Sequence, residues 1–147
     1  MNILVSACLL GVNCRYNGGG KLQEDLLKLQ KHHHLIPICP EQLGGLPTPR
    51  PASEIQNQKV ISKNGIDVTA QFNAGALESL KLAKLYCCTY AILKERSPSC
   101  GFGQIYDGSF TGSLIEGNGI TAKLLADHGI TIIGESKLPE LINKIQE

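Results

Sequence analysis

Short apolar runs alternate with segments of helical periodicity along this chain, and that alternation restricts its fold more than any other feature. Ile3-Leu4-Val5-Ser6-Ala7 is almost continuously apolar, the pattern of a strand covered on both faces. Leu22, Leu26, Leu27 and Leu29 then recur at helical spacing among Lys and Gln up to His34. Leu35-Ile36-Pro37-Ile38 makes a second strand, and Pro37, which cannot donate to a ladder, places it at an edge or an irregularity. A helix is predicted from Thr69 to Tyr86, with Phe72, Ala76, Leu80 and Ala83 on one stripe. Thr89 to Leu93 is a third strand, Ile120 to His128 a helix stopped by Gly129, and Ile130 to Ile133 a fourth strand. Leu138 to Ile145 closes the chain as a short helix. Strands separated by helices require crossover connections. The expected fold class is therefore α/β, a three-layer Rossmann-like or flavodoxin-like sandwich around a mostly parallel sheet.

Two small insertions break the alternation. Lys59–Ser62 and Ile66–Thr69 flank Lys63-Asn64-Gly65, a hairpin turn signal, and Ile105-Tyr106 and Phe110-Thr111 flank Asp107-Gly108 as a second hairpin. No repeat or linker divides the 147 residues, so a single domain, 1–147, is expected. A net charge of +1 lacks the basic excess with which proteins grip nucleic acid. No apolar run is long enough to span a bilayer, and no positive region precedes the first apolar stretch, so a cytoplasmic location is expected. His32-His33-His34 read as a surface cluster, because adjacent residues on a helix end point in different directions.

In open parallel sheets, ligands sit beyond the carboxyl ends of the strands. The loops Leu9 to Gly20, Pro40 to Pro51 and Glu95 to Gln104 leave those ends, and they hold eight of the 16 glycines. They also carry cysteines: Cys8 closes the first strand, Cys39 the second, and Cys100 lies in the loop after the third. Elements remote in sequence thus bring thiols to one edge of the sheet. Six cysteines in a chain without an export signal are poor candidates for disulfides. Buried cysteine often behaves as a small hydrophobe, and that is the reading for Cys87 and Cys88 at a helix-to-strand junction on the opposite edge. Cys8, Cys39 and Cys100 sit instead among Gly, Pro and polar residues, while Cys14 is open between ligand and neighbour. Three thiolates on three loops suit a metal or cluster with one open position. No C-x-x-C pair is present and no histidine falls at this edge, which favours iron–sulfur over zinc.

Polar residues accompany the thiols. Glu41, two positions after Cys39, is a candidate general base or acid, weighed against an ordinary charge at a helix start. Ser97 and Ser99 flank Pro98 just before Cys100, where hydroxyls can orient substrate or water. Arg15, Arg50 and Arg96 offer forked donors, each more often structural than catalytic.

Three segments then become recognisable together. Ser6-Ala7-Cys8-Leu9-Leu10-Gly11 with Cys14-Arg15-Tyr16-Asn17-Gly18, Cys39-Pro40-Glu41 through Gly44-Gly45-Leu46-Pro47-Thr48-Pro49-Arg50, and Lys94-Glu95-Arg96-Ser97-Pro98-Ser99-Cys100-Gly101 resemble the 2-thiouracil desulfurase family, from Met1 to about Gly134. The resemblance implies an enzyme with a [4Fe–4S] cluster on Cys8, Cys39 and Cys100, its fourth iron free to take sulfur from a thiolated base. It implies Glu41 as the catalytic acid or base and Ser99, with Ser97 as the other candidate, as the catalytic serine. Cys14 matches a family position without being assigned to the cluster. Asn17 departs from the family's Arg-Tyr-Asp-Gly, which puts a charge-dependent role there in doubt. The implied chemistry is non-redox: Glu41 activates water, and sulfur leaves to iron. Two competitors stand beside it. One is a cysteine nucleophile, Cys8 or Cys100, acting as a thiol transferase or redox enzyme, against which the lack of a nearby histidine counts. The other is a binding module without turnover, although neither a dinucleotide fingerprint nor a P-loop is present.

Overall fold

The computed structural model describes residues 1–145. Its central sheet consists of β1 (Asn2–Ser6), β2 (His34–Ile38), β5 (Tyr90–Leu93) and β8 (Thr131–Gly134), in the order β2-β1-β5-β8 and parallel throughout. Between them run α1 (Glu24–Leu29), α2 (Pro40–Leu43), a long α3 (Thr69–Leu85), α4 (Ile120–Asp127) and the closing α5 (Leu138–Ile145). Two antiparallel pairs, β3 (Ser53–Gln56) with β4 (Lys59–Ser62) and β6 (Gln104–Tyr106) with β7 (Leu114–Glu116), are appended outside the sheet. The expected three-layer α/β architecture is the one observed.

The apolar runs are continuous because the sheet is buried on both faces. Leu4, Ala91, Leu93 and Ile132 point into one core with Leu80 and Ala83 of α3 and Ala122 and Leu125 of α4. Their alternates Ile3, Val5 and Ile92 point into the other, with Leu26 and Leu29 of α1 and Leu138 and Leu141 of α5. The strand period of two thus feeds two cores from one strand. Pro37 sits on the edge strand β2, opposite Val5, as its missing donor requires. Among the described residues no helix is long and apolar enough to cross a membrane.

Several local expectations are corrected. The helix expected from Leu22 up to His34 shrinks to α1, because Lys21 N–H and Gln23 N–H are tied back to the Cys8 and Leu9 carbonyls at 2.7 and 2.8 Å. The first hairpin turns elsewhere: β4 pairs with β3, through Asn57 and Gln58 at φ 49° and 66°, a turn with both central residues left-handed. The Lys63-Asn64-Gly65 turn forms too, but its second arm is one bridge, Ile61 to Asp67, since Thr69 already begins α3. In the second insertion the partner strand is Leu114–Glu116, so Phe110 and Thr111 lie in a wide loop over 107–113. Cys88 is buried as expected, whereas Cys87, at φ 53°, is exposed.

The expected loop from Pro40 contains the helix α2. Pro40 begins it, where a missing N–H is no loss. It packs backbone to backbone on α3 through two glycines: a Cβ on Gly75 would run into the Pro40 carbonyl, and one on Gly44 into that of Gln71. Because α2 carries Glu41, this contact also sets the depth of that carboxylate. Gly75→Ala is expected to destabilise the protein by about 1–3 kcal/mol through overpacking. A thermal melt checks this, and an unchanged Tm contradicts so close an approach.

Candidate functional site

The carboxyl ends of β1, β2 and β5 open into a cavity of about 310 Å³, lined by Cys8, Cys14, Cys39, Cys100, Glu41, Ser97 and Ser99 among others. The three proposed cluster cysteines, Glu41, Ser97 and Ser99 therefore reach one place. Cys14, left open by spacing, joins them.

Each thiol is placed by a different device. Cys8 lies in a 3₁₀ turn, Ala7–Leu10, that ends at Gly11 with φ 89°, and the chain then doubles back to bring Cys14 beside it. Cys39 separates β2 from α2, and its Sγ lies 3.7 Å from the Cys14 carbonyl oxygen. The Cys100 loop is clamped by the start of α4: Ile120 N–H donates to Pro98 O at 2.8 Å, and the N–H groups of Thr121 and Ala122 donate to Ser99 O at 2.9 and 3.1 Å. Those donors would otherwise be orphans of the helix end. Ser97 completes the loop by accepting the Cys100 N–H on its Oγ at 2.7 Å.

The two candidate serines thus differ. Ser97 shapes the backbone under Cys100, while Ser99 Oγ donates to Glu41 Oε2 at 2.9 Å and lies 3.6 Å from Cys100 Sγ. The other Glu41 oxygen, Oε1, accepts from Arg50 Nε at 3.0 Å. Both carboxylate oxygens are consequently fixed, in the cavity lining and linked to Cys100 through Ser99.

Arg50 does more than pair with Glu41. Its Nη1 donates to Pro47 O at 3.2 Å and Thr48 Oγ1 at 3.0 Å, and its Nη2 to Cys14 O at 3.0 Å. Its side chain is 4% exposed, so these donors have little alternative in water. Arg15 also lines the cavity, its guanidinium 6.0 Å from the Tyr16 ring centre, whereas Arg96 does not. Asn17 stands apart from the thiols: its Oδ1 accepts Gly19 N–H at 2.9 Å in an exposed turn, a task that needs an oxygen and no charge. His128 lies with Cys87 and Cys88 at the opposite end of the sheet.

Burial and mutual contact govern the thiols. Burial pushes the Cys100 thiol up to about 11, outweighing the hydrogen bonds from Ser6 and Ser99. Cys39 is raised, first by its hydrogen bond with Cys14 and then by burial. Cys14 is lowered by Cys39 but raised by Cys8 and by burial, with a net rise. Among the described residues, no three Cys, His, Asp or Glu side chains close around one metal-ion position. The thiols are instead distributed over the wall of a cavity, a donor set both soft and wide.

Fold and site together define a parallel α/β protein whose strand ends open into a pocket carrying four thiols, with a carboxylate held among them. A family model described as 2-thiouracil desulfurase matches residues 3–137. YbbK of Bacillus subtilis (strain 168), described as an uncharacterized protein, is 41% identical over 150 residues, which cover 95% of this chain and 99% of that one. Among solved structures, the [4Fe-4S]-dependent thiouracil desulfidase TudS is 45% identical and superposes with a TM-score of 0.92, over 99% of this chain and 97% of that chain. The chain belongs to the 2-thiouracil desulfurase family.

Arg50→Lys tests the junction. A single ammonium cannot reach four acceptors on diverging sides, and a loss of about 2 kcal/mol or more is expected in urea denaturation. Arg15→Lys, at a more exposed position, is expected to shift stability by no more than about 0.5 kcal/mol.

Proposed function

We propose that this chain desulfurises 2-thiouracil or a related thiolated heterocycle, with a [4Fe–4S] cluster on Cys8, Cys39 and Cys100 and Glu41 activating water. The observation that carries this reading is the Glu41 carboxylate, fixed by Arg50 and Ser99 beside the Cys100 thiol in a thiol-lined cavity. The likeness to TudS over nearly the whole chain supports the same chemistry. The donors suit the cluster: they are thiols only, they come from three loops, and they surround a cavity rather than a point.

When bound, the cluster supplies an iron with a free position, a Lewis acid for the thiocarbonyl sulfur. The chain does the rest. Cys39 and Cys100, both raised, give up their protons as they become ligands, so loading releases protons. Glu41 takes a proton from the water that attacks the ring carbon and returns one as the carbon–sulfur bond breaks. Ser99 and Arg50 keep the carboxylate aimed through both events. Thiouracil and water become uracil and hydrogen sulfide, with no electron gained or lost.

A single cysteine nucleophile fits less well. A nucleophile needs its thiolate, and the thiol of Cys100, one of the two candidates, is shifted the other way by burial, while no histidine among the cavity-lining residues could serve as base to either. Cys14 stays outside the proposed ligand set as a neighbour of Cys8 and Cys39.

Anaerobic reconstitution followed by iron and labile-sulfide analysis tests the ligands. Cys8→Ala, Cys39→Ala and Cys100→Ala are expected to lose the cluster and its visible absorbance, and Cys14→Ala to keep them. Equal iron in the wild type and all three single variants overturns the assignment. Glu41→Gln is expected to load normally yet turn over 2-thiouracil about 10²- to 10⁴-fold more slowly, the usual contribution of a general base.

A further inference from the structure

The chain holds four tyrosines, three phenylalanines and no tryptophan, and three of these seven aromatics, Tyr16, Tyr106 and Phe110, line the thiol-bearing cavity. Tyr106 and Phe110 come from the second insertion, which nothing in the sulfur chemistry requires. Phe110 sits there at φ 58°, a left-handed conformation uncommon for a bulky residue. Such strain persists only where surrounding contacts hold it.

Those contacts come from β3. Glu54, 8% exposed, uses a single oxygen, Oε1, to accept the N–H groups of Gly108 at 3.0 Å and Phe110 at 3.1 Å. From the same strand Gln56 Nε2 donates to Gly108 O at 2.6 Å. Gly108 lies against the strand so closely that a Cβ would come 2.7 Å from Ile55 O. The loop itself is closed by Asp107 N–H donating to Ser113 O at 2.9 Å. A buried carboxylate and a glycine therefore pin the 107–113 loop over the cavity with Phe110 facing in.

We propose that this loop is the ceiling of the substrate site, that Phe110 and Tyr106 are faces selecting a flat unsaturated ring, and that Glu54 is the residue positioning Phe110. The inference rests on the desulfuration reading for the fate of sulfur, but its claim about ring shape stands on the aromatic lining alone. The polar groups Glu41 and Ser99 address the substrate's reacting edge, and the aromatics address its face. A planar heterocycle presents both; a puckered one with the same edge loses the face contact.

Titration calorimetry on anaerobically prepared, cluster-loaded protein tests this with uracil and 5,6-dihydrouracil, which share an edge but differ in planarity. Uracil is expected to bind about tenfold or more tightly than dihydrouracil, the scale of one base–aromatic stack. Phe110→Ala is expected to abolish that preference and Phe110→Tyr to restore it. Glu54→Ala should match Phe110→Ala, with rescue by Glu54→Gln, whose amide oxygen accepts the same two N–H groups. With 2-thiouracil, Phe110→Ala is expected to raise KM about tenfold while kcat stays within about threefold. Equal affinities in the wild type, or a preference that survives Phe110→Ala, overturns the proposal, and the Phe110 variants decide even if Glu54→Ala fails to fold. A planar preference that depends on Phe110, in protein releasing no sulfide from 2-thiouracil, supports this proposal while overturning the desulfuration reading.

Discussion

One buried guanidinium ties the site together. Arg50 reaches Glu41, the Pro47 and Thr48 segment and the Cys14 carbonyl at once, while its own N–H donates to Tyr16 O at 2.8 Å. It thereby joins the loop after β1 to the loop after β2, which share no ladder beyond the sheet. A cation this buried is tolerable because a carboxylate and three further oxygens satisfy it. The same carboxylate is Glu41, so the group that secures the loops also has its orientation set by them. Structure and candidate chemistry depend here on one interaction.

The rest of the site follows from how little backbone pairing is available past the strand ends. Loop N–H and C=O groups must find partners once water is displaced. Around Cys100 the start of α4 provides them, and at α2 a glycine-to-carbonyl approach provides close packing instead. Both solutions lock a candidate site residue to a helix of the core. The thiols consequently sit on short segments with little freedom, the condition for a preorganised site.

Much of this was legible from residue order, and the failures have identifiable causes. The central strands β1 and β5 were recognisable because burial on both faces leaves unbroken apolar runs, the outer β2 and β8 by short apolar runs, and the edge position of β2 because Pro37 lacks a donor. The convergence of Cys8, Cys39 and Cys100 followed from the rule that ligands gather at strand ends. The first hairpin was misplaced because Lys63-Asn64-Gly65 is the stronger turn signal, whereas Asn57-Gln58 adopts two left-handed residues without a glycine. Helix α2 is only Pro40–Leu43, too short for periodicity, though Pro at its start and Gly44-Gly45 at its end mark it in retrospect. Glu54 carried no signal at all. Its role arises from contacts with residues 54 and 56 positions away, which only the folded chain brings together.

Glu54 belongs to a wider pattern at this rim. Glu41 is met by Arg50 and Ser99, and Glu54 by the amides of Gly108 and Phe110. Glu135 takes the Glu95 N–H on one oxygen and Lys94 on the other, while Glu95 accepts the Ser136 N–H. Carboxylates join the α4 amides and the glycine contact between α2 and α3 in holding the loops around the cavity. A carboxylate suits that task because it accepts several bonds from diverging directions, and charge-assisted bonds are the stronger kind. It also leaves the thiols as the rim's soft donors, with the carboxylates that face the cavity already committed to guanidinium, hydroxyl or amide. That division leaves the thiols free of competing carboxylates, while one carboxylate, Glu41, is held in the cavity lining by Arg50 and Ser99, the arrangement the proposed chemistry needs.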